Sequence, residues 1–90
     1  DAGLAHLKEL TQLRELGLRG TRVTAAGLLH LSHLDDLEEL QLASCGQVND
    51  AAIPVIMQLE SLRKLAIGGT RLTPAGIREL RGSMPDCEIY

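Results

Sequence analysis

Three histidines are the first side chains in this sequence that could do chemistry. His30 and His33 lie three residues apart, and His6 precedes His30 by 24 residues. Imidazoles in such positions could share the outer faces of adjacent helices and bind a transition-metal ion. No Cys, Asp or Glu completes a ligand set at a suitable spacing. We therefore expect solvent-exposed histidines, and neither a metal nor any other cofactor.

Catalytic motifs are equally sparse. None of the four serines stands in a G-x-S-x-G motif or beside a recognisable histidine partner: Ser32, Ser44, Ser61 and Ser83. The segments 20–21 and 68–70 lack the lysine and the spacing of a phosphate-binding loop. Glu38 and Glu39 are adjacent, and adjacent residues in a strand point to opposite faces instead of converging on one substrate. The sequence therefore predicts a protein that is not an enzyme.

Composition restricts the class of partner. The chain has 90 residues, 44% of them hydrophobic and 23% charged, with a net charge of −3. Mixed charges without a basic cluster argue against a nucleic-acid partner or an anionic membrane surface, and no apolar run reaches the roughly 20 residues of a membrane span. Tyr90 is the only aromatic residue, so the core must consist of aliphatic side chains.

A repeated leucine pattern organises the chain. Residues 13–23, 37–48 and 62–72 share the spacing L-x-x-L-x-L, and residues 84–90 match it weakly. The copies start 24, 25 and 22 residues apart, and 10 of 19 positions are identical between residues 13–31 and 62–80. Alternation in the first part of each copy predicts a short strand with one buried face, in which Leu16 and Leu18 point inward.

The second part of each copy has helical spacing. Apolar residues recur every three positions in two successive copies, at Leu28, Leu31 and Leu34 and at Ile53, Ile56 and Leu59. This spacing predicts a helix with one buried face. Strand, helix and parallel strand connect in the right-handed sense in nearly all proteins. Stacked copies therefore predict a short, curved, right-handed array with a parallel sheet on one side and helices on the other.

Several residues predict where the helices begin and end. Thr24, Asn49 and Thr73 can accept hydrogen bonds from first-turn N–H groups, and Pro74 suits the first helical position. Pro54 predicts a second helix that begins late or is distorted. Gly82 is expected to end the last helix in a left-handed conformation. The small residues Gly27, Ala52 and Gly76 suggest close approach of helix to sheet, or weak helix formers that the packing tolerates.

These motifs resemble leucine-rich repeats over essentially the whole chain. The segment T-x-A-G-[L/I] is similar to units of bacterial repeat arrays and of the repeat regions of F-box substrate receptors, and residues 84–89 are similar to the L-P-x-C-x-I ending of such arrays. The resemblance implies an α/β leucine-rich-repeat solenoid with a concave sheet and convex helices. It also implies a non-enzymatic scaffold that binds a protein partner on the concave face.

Domain boundaries follow from the same repeats. We expect a single domain over residues 1–90, consisting of a partial N-terminal repeat (1–12), three repeats (13–36, 37–61 and 62–83) and a terminal strand (84–90). No F-box segment is present, so a ligase-adaptor role has no support.

The two cysteines fit this architecture. Cys45 stands where Thr21 and Thr70 stand in their copies, a position that resembles the family's asparagine-ladder site, and a reactive thiol is the alternative. Cys87 occupies an inward strand position, so we expect it to be buried. The thiols lie two units apart, farther than a disulfide allows, which favours a reducing compartment such as the cytoplasm.

The expected binding surface consists of outward residues on the strands. They form three rows, which are Glu15, Glu39, Lys64 and Asp86; Gly17, Gln41, Ala66 and Glu88; and Arg19, Ala43, Gly68 and Tyr90. Arg19 and Tyr90 are the preferred anchors because Arg and Tyr are enriched in binding hot spots. Glu39, Gln41 and Lys64 would tune specificity. In the alternative interpretation, Tyr90 covers the end of the core and Arg19 is ordinary surface.

Two further features bear on partners. Residues 35–39 contain four carboxylates, which we expect to lie in a solvated turn that biases which partner docks nearby. The outer edge of the last strand has no following repeat to pair with, so residues 87–90 could join a second copy and make a homo-oligomer. Self-association through the ends of the array is therefore the alternative function.

Overall fold

The computed structural model describes residues 12–90, apart from the side chain of His33. The predicted partial repeat at 1–12, with His6, lies outside the described residues but for its last position. The strands are β1 (Glu15–Gly17), β2 (Glu39–Gln41), β3 (Lys64–Ala66) and β4 (Glu88–Ile89). The helices are α1 (Ala25–Leu28), α2 (Ile53–Met57) and α3 (Pro74–Ser83), and 3₁₀ turns span Leu29–His33 and Asp50–Ala52.

The strands form one parallel sheet in the order β1-β2-β3-β4, with a helical segment between successive strands. Equivalent residues lie side by side, so that Leu40 pairs with Leu16 on one side and with Leu65 on the other. The predicted mixed α/β domain with a parallel sheet is confirmed.

The pairing of β4 with β3 is shifted by two residues from the pairing that the alignment of the repeats within this chain predicts. Ile89 lies beside Leu65 and Glu88 beside Lys64, whereas the alignment placed Cys87 and Asp86 there. The mismatch begins at Met84, because its apolar side chain matches the first leucine of the motif in sequence but does not occupy that position in the structure. Instead, Cys87 N–H donates to the Met84 carbonyl, just as Leu62 N–H donates to the carbonyl of Leu59 at the end of the preceding helical segment.

One aliphatic cluster on one side of the sheet forms the core. Leu40 and Leu65 from the strands are buried in it together with the predicted helical residues, which are Leu28, Leu31, Leu34, Ile53, Ile56 and Leu59. Strand neighbours such as Glu39 and Gln41 lie on the other side and keep contact with solvent. The helical segments thus cover one face of the sheet and leave the other open.

Two of the three predicted helix caps form, whereas the Thr24 side chain makes no capping hydrogen bond at the start of α1. The Thr73 hydroxyl accepts a hydrogen bond from Gly76 N–H at 3.1 Å, and the Asn49 side chain accepts one from Ala51 N–H at 3.0 Å. The regular turns of α2 begin only at Ile53, after a 3₁₀ turn, so the late start that Pro54 predicts is confirmed. Gly82 was expected to end α3, but it lies inside the helix, which continues to Ser83.

A left-handed residue follows each of the first three strands. Gly20 has φ of 72°, Ser44 63° and Gly69 79°, at equivalent positions of successive units. A Cβ on Gly69 would lie 3.1 Å from the backbone of Ser44, so adjacent turns are tightly packed as well as similarly bent. These turns carry the chain from the sheet towards the next helical segment.

Candidate functional site

Small polar side chains beneath these turns bond to nearby backbone carbonyls, and Cys45 joins two successive units in this way. The Cys45 thiol is fully buried and donates to the Leu18 carbonyl of the preceding unit at 2.8 Å. Its sulfur lies 3.6 Å from the Thr21 hydroxyl, and the Thr70 hydroxyl donates to the Ile67 carbonyl at 2.7 Å. The geometry matches the predicted structural role of Cys45 and Thr70, and it leaves the Cys45 thiol shielded from solvent.

The open face of the sheet, defined as the side chains of its three outward rows, begins with a charged row. Pairing places Glu15, Glu39, Lys64 and Glu88 side by side across the four strands. Lys64 Nζ lies 3.7 Å from Glu39 Oε1, and the Lys64 side chain is about half exposed. Such a solvent-screened pair contributes roughly 0–1 kcal/mol, so these charges remain available to a partner.

The middle row of the open face is formed by Gly17, Gln41, Ala66 and Tyr90. Tyr90 lies opposite Ala66, because Tyr90 N–H donates to the Leu65 carbonyl at 2.9 Å and Ile67 N–H donates to the Tyr90 carbonyl at 2.7 Å. Gln41 and Tyr90 are exposed. Ala66, predicted as an exposed contact residue, is buried with 8% exposure, since it is the small member between two larger neighbours.

The third row extends beyond the named strands. Gly20 N–H donates to the Ala43 carbonyl at 2.9 Å and Ser44 N–H donates to the Gly68 carbonyl at 2.6 Å, which continues the pairing of Gly17 with Gln41. Arg19 and Gly68 are exposed and Ala43 is half-buried. This side of the open face is therefore shallow, with a single long side chain at the β1 end.

Most of the predicted contact residues share this face, but four of them differ from the prediction, namely Ala66, Asp86, Glu88 and Tyr90. The structure brings together Glu15, Gly17, Arg19, Glu39, Gln41, Ala43, Lys64, Glu88 and Tyr90. Glu88 lies in the first row and Tyr90 in the second, each one row earlier than predicted. Asp86 lies in the turn before β4 and outside the rows. Whether the face binds a protein stays a prediction.

Asp86 belongs to an acidic rim along the starting ends of the strands. It lines a cavity of about 260 Å³ together with Asp35, Asp36, Glu38, Glu60 and Arg63. Asp35, Asp36 and Glu38 of the predicted turn at 35–39 belong to this rim, whereas Glu39 lies in β2. Glu60 and Arg63 were not predicted to be part of it. Glu60 and Arg63 lie just before β3, at positions equivalent to residues 35–38 before β2. This equivalence between repeats could have predicted that they belong to the same rim.

A second contact between units was not anticipated. Asp50 Oδ1 accepts from Thr73 N–H at 3.0 Å, and Asp50 Oδ2 accepts from the Thr73 hydroxyl at 2.6 Å. These hydrogen bonds from Thr73 lower the pKa of Asp50 below its ordinary value. Because the same hydroxyl also accepts from Gly76 N–H, this Asp50–Thr73 contact joins the Asp50–Ala52 turn to the start of α3.

The remaining reactive groups form no metal-binding cluster in the described part of the chain. Within residues 12–90, no group of three or more His, Cys, Asp or Glu could hold a metal ion. His30 is half-buried, while the predictions for His6 and the His33 side chain lie outside what is described. Among the described helices, none is long and apolar enough to cross a membrane.

The cysteines are both free thiols. Cys87 was expected to be buried but is only half-buried, because the shifted pairing places it before β4 and not in the strand. Burial, with a smaller contribution from the neighbouring Glu88 carboxylate, raises the pKa of the Cys87 thiol above its ordinary value.

Comparison with known proteins supports the fold class. No protein-family model matches the chain, and no curated protein is significantly similar to it in sequence. The chain is similar to a solved structure from Caenorhabditis elegans described as a tropomodulin C-terminal domain, with a TM-score of 0.74 and 21% sequence identity. The match covers 98% of this chain but 59% of that one, and at this identity it shows a shared fold and no more.

Proposed function

We propose that the chain is a right-handed leucine-rich-repeat solenoid that acts as a non-enzymatic scaffold and binds a protein partner on its concave face. The observation that carries the proposal is the open face, where four strands bring together side chains that are far apart in sequence. The repeated pairing of equivalent residues and the left-handed turns at Gly20, Ser44 and Gly69 support the solenoid. The bacterial arrays and F-box receptors that the motifs resemble support the protein-binding role.

Charge favours a partner with basic groups. Residues 12–90 contain ten Asp and Glu residues. Eight of them lie in the first row or on the acidic rim, namely Glu15, Glu39, Glu88, Asp35, Asp36, Glu38, Glu60 and Asp86. Opposite potentials steer association and fix orientation. The favoured partner is therefore a protein segment rich in Lys and Arg, whereas nucleic acid and anionic membranes carry the wrong charge.

A comparison of two triple variants tests the proposal. R19A/Q41A/Y90A truncates three exposed residues of the open face, and Q58A/R78A/E79A truncates three exposed residues on α3 and at the end of α2. Proteins captured from an extract of the source organism should be lost with the first variant and kept with the second. Equal capture by both folded variants would contradict the assignment of the open face.

Self-association through the ends of the solenoid is the second candidate function. Its support is that, in the described part of the chain, β4 pairs with β3 on one side and with no strand on the other. Light scattering over a concentration series tests it. A species that grows from monomer to dimer in the micromolar range would favour this function, and a monomer throughout would count against it.

A further inference from the structure

The charged row of the open face does not carry the same charge along its length. Glu39 on β2 and Lys64 on β3 are neighbours in this row, and their charged groups lie 3.7 Å apart. At this distance the two opposite charges largely cancel in the field that an approaching partner meets. The Glu39–Lys64 pair therefore adds no net charge to the row, although both side chains still contact solvent.

Glu15 and Glu88 lie on either side of this pair. Pairing places Glu15 beside Glu39 and Glu88 beside Lys64, and both side chains are exposed. Among the side chains that the structure describes, only Lys64 lies within ion-pair distance of a carboxylate of this row, and that carboxylate is Glu39. The row thus presents two separate negative charges with a neutral pair between them.

Sheet geometry determines the distance between these two negative charges. Neighbouring strands lie about 4.8 Å apart, so the three spacings from β1 to β4 place the Cα atoms of Glu15 and Glu88 about 14 Å apart. In an extended segment, alternate residues share one side and the chain rises about 3.3 Å per residue, so residues i and i+4 lie about 13 Å apart. Residues i and i+2 span only about 7 Å, and residues i and i+6 span about 20 Å.

The rest of the open face leaves room for an extended backbone beside the charged row. Four of its seven other positions carry no side chain beyond Cβ, namely Gly17, Ala43, Ala66 and Gly68. A Cβ on Gly17 or Gly68 would meet no atom within 4 Å, so the space above these positions is open. The exposed Gln41 amide can donate to and accept from the backbone of a segment that crosses the strands here.

We propose that the open face selects an extended protein segment in which two Lys or Arg residues stand four positions apart. One cation pairs with Glu15 and the other with Glu88, while uncharged residues lie over the Glu39–Lys64 pair. This proposal rests on the proposed function, because it describes the partner of the same face. It adds a spacing to the general preference for basic groups, and it makes Glu15 and Glu88 the residues that determine specificity.

Three synthetic nine-residue peptides of equal composition test the proposal. Each contains two Lys residues among Thr and Val, which favour extended conformations, and the Lys residues stand two, four or six positions apart. NMR titration of the unmodified chain at low ionic strength, where exposed charges are little screened, measures the three affinities. The peptide with the four-residue spacing should bind about two- to fivefold more tightly than the other two, as expected for one additional exposed ion pair.

Two double variants assign this preference to the charged row. E15Q/E88Q should bind the three peptides equally, because it removes both separated charges. E60Q/E79Q removes two exposed glutamates that lie outside the row, and it should keep the preference for the four-residue spacing. Since both variants lose the same charge, a general electrostatic attraction would weaken equally in the two.

Several results would overturn the proposal. They are equal binding of the three peptides by the unmodified chain, no binding of any of them, and a preference that survives in E15Q/E88Q or is lost in E60Q/E79Q. The peptide comparison uses the unmodified chain, so it decides even if a variant does not fold. Loss of protein capture by R19A/Q41A/Y90A together with equal binding of the three peptides would support the open face and refute the spacing. Retained capture by that variant would instead refute the open face itself.

Discussion

At the scale of single residues, two glycines of α3 show how neighbours decide what a substitution does. A Cβ on Gly76 would lie 2.5 Å from Asp50 Oδ1 and 2.6 Å from Ile53 Cδ1, both in the preceding unit. A Cβ on Gly82, in the last turn of the same helix, would meet no atom within 4 Å. The close approach suggested by the sequence at Gly76 is therefore real, but its partner is the adjacent helical unit and not the sheet.

Gly76→Ala should destabilise the fold by about 1–3 kcal/mol, because the added methyl group must displace Asp50 or Ile53. Gly82→Ala should instead stabilise it by about 0.5–1 kcal/mol, since Ala has the higher helix propensity and the space is free. Urea denaturation of the two variants measures both effects. A stabilising Gly76→Ala would show that the packing between the two units is loose.

The cysteines should differ sharply in reactivity. A thiol reagent should label Cys87 in the folded chain at least about 100-fold faster than Cys45, because the buried Cys45 reacts only when the structure opens. Since the thiolate is the reactive form and the pKa of Cys87 is raised, its labelling rate should keep rising at pH values above those that saturate an ordinary cysteine of pKa near 8.5. Stopped-flow labelling of C45A and C87A separates the two sites, and equal rates would contradict the assigned burial.

Residue chemistry explains which predictions at this scale succeeded. The roles of Thr73, Pro74 and Pro54 depend on local backbone hydrogen bonds, which a short sequence window contains. Whether Gly82 ends the helix depends on where Met84 packs in the core, and the burial of Cys87 depends on how β4 pairs. Neither property can be derived from the residues next to it in sequence.

At the scale of elements, the three well-matched repeats have the predicted strands and the degenerate one does not. Leu16, Leu40 and Leu65 are equivalent in both the sequence alignment and the structure. In the last unit, Met84 and Cys87 replace leucines, so the apolar pattern no longer specifies which residue begins the strand. The parallel hydrogen bonds to β3 then determine the register.

The Asp50–Thr73 contact makes the coupling of elements pH-dependent. Because the pKa of Asp50 is lower in the folded chain than the roughly 3.9 of an unfolded aspartate, its ionised form stabilises the fold above that pH. This contribution should decrease as the pH falls through the folded-state pKa. Asp50→Asn should therefore lower the urea midpoint at pH 7, and the difference from the unmodified chain should shrink below pH 4.

Asp36→Asn provides the control for that measurement, because Asp36 is an exposed carboxylate in a turn. It should leave the midpoint at pH 7 nearly unchanged. A pH-independent deficit in Asp50→Asn would show that its carboxylate acts through packing and not through its charge.

At the scale of the whole molecule, the sequence predicts which strand residues share the open face. It does not predict how exposed each of them is. The repeat alone placed Arg19, Glu39 and Gln41 on one face, because a period-2 strand leaves no other choice. It could not predict that Ala66 would be covered, since that depends on which residues flank it on adjacent strands. Nor could it show that the turns before the strands converge into an acidic rim, which requires the units to be stacked.

The central claim, that the open face binds the partner, is tested most directly by calorimetric titration of the captured partner against the two triple variants. R19A/Q41A/Y90A should weaken binding by more than tenfold, or about 1.4 kcal/mol, and Q58A/R78A/E79A should change it less than about twofold. A folded R19A/Q41A/Y90A chain that binds as tightly as the unmodified one, while Q58A/R78A/E79A loses affinity, would contradict the account.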